Sequence, residues 1–169
     1  WGTRHFVRTF AERGRVVVAL SVEDLDVGPT AALGIDGSGQ FRGFAPHWLR
    51  ALAADVAHRE GLRTDEVSPL LEWVQRSLLI SSTDQGPFLA AGVQAIDLAG
   101  RSDDLALKSI VYHLPEDTIE KMRPESVWAY GRTQERILRA IDTLPVIPRE
   151  SGYYLRTGPG RIVPPAIRQ

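Results

Sequence analysis

The sequence lacks cysteine, and it also lacks an excess of charge of one sign and any long apolar run. Without cysteine there is no disulfide framework and no metal bound through thiolates. Twenty basic against 21 acidic residues give a net charge of −1, which argues against a general nucleic-acid-binding surface. No run approaches the ~20 apolar residues of a membrane span. The 169 residues are 43% hydrophobic, which is enough for the core of one domain.

Hydrophobic patterning predicts an α/β domain. The β-branched run over 15–22 is typical of a strand covered on both faces, as in a parallel sheet. Further strands are predicted, and helices are expected wherever apolar residues recur with helical spacing. Together they predict a three-layer α/β/α arrangement, with a mostly parallel or mixed sheet between helices. The further strands fall at 30–35, 93–98 and 109–112, and the helices at 1–12, 45–60, 69–79, 87–92 and 124–144.

The pattern fails after Pro145. Residues 145–169 contain five prolines, three glycines and four arginines, a composition typical of a linker. We therefore divide the chain into a domain over 1–144 and a tail or linker over 145–169. Tyr153 and Tyr154 in this tail suit an amphipathic boundary.

One histidine stands where α/β proteins often place their chemistry. His113 follows the strand predicted over 109–112, and Asp117 with Glu120 forms a capping-box pattern for a helix behind it. Open α/β sheets bind ligands at the carboxyl ends of their strands. A boundary histidine beside an ordinary helix cap is the alternative, and the residues alone leave both open.

Carboxylates follow or interrupt two of the predicted strands. Glu23, Asp24 and Asp26 fall within four residues, so they repel one another unless a cation or hydrogen-bond donors offset their charge. A solvated acidic turn is the alternative. Asp97 lies inside an apolar run, and an unpaired buried charge is costly, so we expect it at a sheet end or beside a partner.

Two blocks of sequence resemble the zinc aminopeptidase and glutaminyl cyclase family. That family carries Ser/Thr-Asp-His-x-Pro-Phe-x-x-x-Gly-[Ile/Val]-Pro-Ala, followed by Tyr-His-Thr-x-x-Asp-Thr. Gln85 stands in place of the family's histidine, and Gln94 in place of a proline. The matching residues are Thr83, Asp84, Pro87, Phe88, Gly92, Val93 and Ala95 in the first block, and Tyr112, His113, Asp117 and Thr118 in the second.

The resemblance implies a zinc site of one or two ions. It assigns metal ligation to His113 and Asp26, and it makes Asp84 a carboxylate that hydrogen-bonds within the site and orients it. The residues implied for the substrate pocket are Gln85, Phe88 and Tyr112.

The resemblance also implies a reaction in which zinc-activated water attacks a peptide bond near a free amino terminus of a peptide or aminoacyl substrate. The segment 2–6 resembles the family segment that follows a pair of glutamates, so the catalytic base and the other ligands are expected upstream of Trp1. The isolated chain is therefore expected to be inactive.

The family has membrane-tethered bacterial members, and the tail resembles the segment that precedes a membrane span. They imply an extracytoplasmic or membrane-associated location. Two alternatives remain open. One is a non-catalytic ectodomain that binds a partner, which Gln85 favours. The other is an acyltransferase of the glutaminyl cyclase type.

Overall fold

A computed structural model describes residues 2–23, 30–37, 43–64, 68, 70–72, 74, 83–102, 113–150, 155–158 and 161–163. Asp26 and Tyr112 lie outside the described residues, as do the strand predicted over 109–112 and most of the helix predicted over 69–79. Within the described ranges, no helix is both long enough and apolar enough to cross a bilayer.

Four helices and six strands follow one another along the described chain. The helices are α1 (Gly2–Thr9), α2 (His47–Arg59), α3 (Gln85–Ala90) and α4 (Pro124–Asp142), with 3₁₀ turns at Arg13–Arg15 and Ile119–Lys121. The strands are β1 (Val18–Glu23), β2 (Thr30–Asp36), β3 (Arg63–Thr64), β4 (Gln94–Ser102), β5 (Leu155–Gly158) and β6 (Arg161–Val163).

Proline and glycine set the ends of the helices. Pro46 is extended at the residue before α2, and Pro124 occupies the first turn of α4, where its missing N–H leaves no bond unmade. Gly61 and Gly92 follow α2 and α3 with φ of +79°, a conformation that glycine adopts without a steric penalty. The helices predicted over 45–60 and 124–144 are confirmed.

The first four strands form one mixed sheet in the order β1-β4-β2-β3. β1 runs parallel to β4, with Val18 opposite Gln94 and Glu23 opposite Ala99. β2 runs antiparallel to β4 and parallel to β3. The predicted α/β class with a mixed sheet is thus confirmed.

One face of the sheet holds the apolar core. Alternate residues of β4, Ile96 and Leu98, are fully buried against α2 and α4. Tyr130 of α4 is also fully buried, and its hydroxyl donates to Ala32 O and accepts from Arg101 N, both at 3.2 Å. The cluster comprises Leu33, Ala45, Leu49, Ala53, Val56, Ala57, Leu62, Ile96, Leu98, Tyr130, Ile137 and Ile141.

The shorter helices α3 and α1 lie on the opposite face. Gln85 of α3 bonds Asp36, which alternates along β2 with the core residues Leu33 and Ile35 and so faces away from them. Phe6 of α1 packs on Phe88 of α3, with ring centroids 6.0 Å apart. Helices therefore cover both faces of the sheet.

Two local expectations change near the carboxyl end. The helix predicted to open at Asp117 is wrong, because the chain turns there and a 3₁₀ helix begins at Ile119. Within 145–169, β5 and β6 form a separate antiparallel pair. Pro148 O accepts a 2.9 Å bond from Gln94, so the chain stays attached to the domain beyond Pro145. The division at 144/145 stays a prediction.

Candidate functional site

Polar side chains gather on the sheet face under α3. Asp97 lies in the middle of β4, opposite Ser21 of β1 on one side and Asp36 of β2 on the other. Residues opposite one another in paired strands point to the same face, so all three side chains share the face that α3 covers. Glu23, two residues after Ser21, joins them by the same alternation. We call this group the carboxylate cluster; it consists of the acids Glu23, Asp36 and Asp97 and the hydroxyl of Ser21.

Asp97 is the most buried acid of the cluster, with 3% of its surface exposed. Burial raises its pKa to about 6, and repulsion from Glu23 and Asp36 acts in the same direction. A hydrogen bond from Ser21 and the charge of Arg101 lower the pKa but do not cancel these effects. Its Oδ1 atom makes no hydrogen bond. Asp97 therefore holds a proton at mildly acidic pH. Of the two situations expected for Asp97, a sheet end or a partner, the structure shows the second.

Gln85 covers the cluster from α3. Its side chain is fully buried, and Nε2 donates to Asp36 Oδ2 at 3.3 Å. An amide donor can sit beside a buried carboxylate without adding charge, which histidine could do only in one protonation state. The residue at the family's histidine position is thus part of the interior, out of contact with solvent.

Asp84 connects three segments that are far apart in sequence. Its backbone N–H donates to Glu23 Oε1 at 3.3 Å, at the carboxyl end of β1. Its side-chain Oδ1 accepts a 2.5 Å bond from the Thr3 hydroxyl of α1. The start of α3, the end of β1 and the start of α1 therefore meet at Asp84.

The two predicted metal ligands are not brought together by the described residues, because Asp26 lies outside them. His113 is exposed in a turn, and its φ of +60° is uncommon for a residue other than glycine. No group of three histidine or acidic side chains in the described ranges has the spacing of a metal site. The predicted zinc site at Asp26 and His113 stays a prediction.

Phe88 lines a groove at the other end of α3. The groove measures about 1100 Å³ and lies where β1 and β4 begin. Its walls include Phe6, Val17 and Val93, with Arg13 and Arg149 among its polar residues. Of the three residues predicted for a substrate pocket, Phe88 reaches this groove, Gln85 is buried and Tyr112 lies outside the described residues.

Sequence reasoning marked Asp97 and Asp84 but missed their neighbours. Asp36 ends an apolar strand with nothing in its pattern to pair it with Asp97, because that pairing depends on strand order. Glu23 was visible as part of an acidic run, and only the fold gives it the N–H of Asp84 as a donor.

No protein-family model matches this chain, and no curated protein sequence matches it either.

Proposed function

We propose that this chain is part of a zinc-dependent, aminopeptidase-like hydrolase. The zinc is held by Asp26 and His113 together with ligands outside residues 1–169. When bound, it activates water for attack on a peptide bond near a free amino terminus. The substrate is a peptide or an aminoacyl compound, and the aminopeptidase-like three-layer fold is part of the proposal.

The contacts of Asp84 carry this proposal. Resemblance to the family picks out the segment 2–6, Asp26 and the block at 83–95, which are distant in sequence. Thr3 and Asp84 come from the first and last of these, and hydrogen bonds join Asp84 to Thr3 and to Glu23 at the end of β1. Contact between matched segments in the fold is the kind of structural context that supports a short motif match. Glu23, the residue of β1 in this group, lies three residues before Asp26 in the sequence.

Asp84 and Glu23 are positioning residues in this proposal. The Asp84 N–H donates to Glu23 Oε1, which fixes the carboxyl end of β1 against α3. Thr3 donates to Asp84 Oδ1 and fixes the carboxylate itself. Asp26 comes three residues after this held strand end in the sequence. A preorganised site gains rate because its groups need no rearrangement during the reaction.

Gln85 favours the second candidate, a catalytically inactive ectodomain of the same fold that binds a partner. Its amide is buried against Asp36, where it serves the interior. An inactive relative would be expected to lose a site histidine in this way. The acyltransferase alternative shares the same residues and is separated from hydrolysis by its product.

The test measures zinc and hydrolysis in two proteins. Residues 1–169 alone are expected to retain no stoichiometric zinc after dialysis and to hydrolyse no aminoacyl amide. Two protein ligands leave zinc mostly solvated, and loss of a general base alone costs roughly 10²–10⁴-fold in rate. The longer protein that includes the upstream segment is expected to have both properties.

His113→Ala in that longer protein should abolish zinc retention and hydrolysis together. The matched control is His58→Ala, because His58 is an exposed histidine of α2 that contacts Thr64. A longer protein without zinc or hydrolysis would support the ectodomain. Unchanged zinc in His113→Ala, or stoichiometric zinc in the isolated chain, would contradict the ligand assignment.

A further inference from the structure

The two edges of the four-stranded sheet differ in length and chemistry. β3, at one edge, is only two residues long and carries Arg63. Short, charged edge strands are a common protection against pairing with another chain. β1, at the other edge, is six residues long and contains neither lysine nor proline. Among the described residues it pairs only with β4, so its second row of backbone groups meets no described strand.

Side chains along β1 are also incompletely covered. Val22 is 48% exposed, and Val17, just before the strand, is 55% exposed. Val18 and Leu20 pack only partly against the core. Such a β-branched run is typical of an interior strand, and here it lies at an edge. The apolar residues of β1 are therefore those expected of a strand that another strand covers.

Charges at the ends of β1 indicate what can cover it. The 3₁₀ turn before the strand carries Arg13 and Arg15, and the strand ends at Glu23. Among the described residues Arg15 forms an ion pair with Glu12, just before the turn, and both side chains are more than half exposed, so that pair is weak and exchangeable. A strand running antiparallel to β1 should be acidic beside Arg15 and basic beside Glu23. β1 of a second copy satisfies this requirement.

We propose that two copies of this chain associate through antiparallel pairing of their β1 strands about a two-fold axis. Such an axis stands perpendicular to the sheet, so each face of one subunit's sheet continues in the same face of the other. Opposed residues must therefore be both odd-numbered or both even-numbered, because side chains alternate between the faces. With Ala19 on the axis, Val18 lies opposite Leu20 of the partner subunit. In this register Glu23 of the partner subunit lies beside the 3₁₀ turn that ends at Arg15, so the two side chains are neighbours although Arg15 is not part of the strand. With Leu20 on the axis the charged residues would miss each other.

The dimer joins two four-stranded sheets into one sheet of eight strands. The short β3 strands then form the two outer edges of that sheet. It goes beyond the proposed hydrolase, because β1 pairs through its backbone, and the two proposals share only Glu23, which also accepts the Asp84 N–H. Sedimentation equilibrium at up to about 100 µM is expected to show twice the 18.7 kDa mass of the chain. A monomer over that range overturns the proposal, and a strand from another polypeptide then becomes the candidate.

Charge exchange tests the register. Arg15→Glu and Glu23→Arg should each weaken dimerisation by about 2- to 30-fold, because two symmetric cross-strand pairs change from attraction to repulsion. The double variant should restore it. Circular dichroism controls for folding of each variant. A double variant as weak as the singles contradicts the register.

Absence of cysteine makes a crosslinking test specific. Opposed Cα atoms in antiparallel strands are ~4.5–5.5 Å apart, within the range of a disulfide. Ala19→Cys should therefore form a disulfide-linked dimer under mild oxidation. Arg63→Cys, on the opposite edge, is the matched control and should remain monomeric on a non-reducing gel. Equal crosslinking of both variants would overturn the two-fold at Ala19.

Discussion

The two faces of the sheet are built in different ways. On the α2 and α4 side, alternate strand residues are aliphatic and fully buried, as Ile96 and Leu98 are. On the α1 and α3 side, Asp97 of β4 lies opposite Asp36 at the end of β2, and Gln85 covers them. The helices differ in the same sense, because α4 has 19 residues and α3 has six.

This difference separates stability from chemistry. Apolar burial contributes free energy of folding without specific partners, and it can be extensive under two long helices. A buried carboxylate opposes folding unless a donor or a proton offsets its charge. The fold tolerates the cost of buried carboxylates on one face because apolar burial on the other face supplies the free energy of folding. We therefore expect substitutions on the two faces to differ in sign as well as in size.

The largest effect is expected from Leu49→Ala on the apolar face. Leu49 of α2 is fully buried in the core, so truncation leaves a cavity as well as losing apolar burial. The free energy of unfolding should fall by about 2–5 kcal/mol. Urea denaturation followed by tryptophan fluorescence measures it.

Leu138→Ala is the matched control for this prediction. Leu138 lies on α4, which borders the same core, but it is 56% exposed. Its truncation should change the free energy of unfolding by less than about 0.5 kcal/mol. Equal losses for the two leucines would show that the apolar face does not supply the stability.

Asp97→Asn should have the opposite sign. Burial, helped by Glu23 and Asp36, raises the pKa of Asp97 from 3.8 to about 6 in the folded protein. Between these values the folded state binds more protons than the unfolded state, so stability falls as pH rises from 3.8 to 6. A shift of this size corresponds to about 3 kcal/mol. The variant should match the parent near pH 4 and exceed it by up to that amount above pH 6.

Unfolding free energies of both proteins across this pH range test the sign. Asp142→Asn, an exposed acid at the end of α4, is the control and should leave the pH profile close to that of the parent. A variant with the same loss of stability above pH 6 as the parent would mean that Asp97 stays ionised in the fold at little cost.

Regular elements were predictable because their signals are local. The 3.6-residue spacing of α2 and α4 and the apolar run of β1 each determine an element by themselves. The position of β1 at an edge was not predictable, because a β-branched run reads the same whether one or two strands pair with it. The start expected at Asp117 failed for a related reason: a capping pattern indicates that a turn begins, and packing decides whether a helix continues from it.

The site was predictable in parts. Asp84 was identified by its motif, and Asp97 by the cost of a charge in an apolar strand. Their relation to Glu23 and Asp36 depends on the strand order β1-β4-β2, which no local pattern contains. Gln85 appeared as a departure from a binding motif, while its role as a buried donor to Asp36 required the register of the sheet.

The smallest effect is expected at the outer layer of the polar face, from Thr3→Val. An eight-residue helix is marginal in water by itself, so α1 depends on its contacts with α3. None of its residues is buried, and the Thr3 hydroxyl bond to Asp84 is one of the contacts that hold it. Valine has the same shape without the hydroxyl, so the bond is lost at little steric cost. Loss of about 1 kcal/mol should speed hydrogen exchange in residues 2–9 roughly fivefold, while global unfolding remains unchanged. Thr9→Val is the control, because the Thr9 hydroxyl bonds only His5 O within the same helix. Faster exchange in Thr9→Val than in Thr3→Val would mean that α1 is held by its own helical bonds. The polar face would then end at α3, and Thr3 would have no part in orienting Asp84.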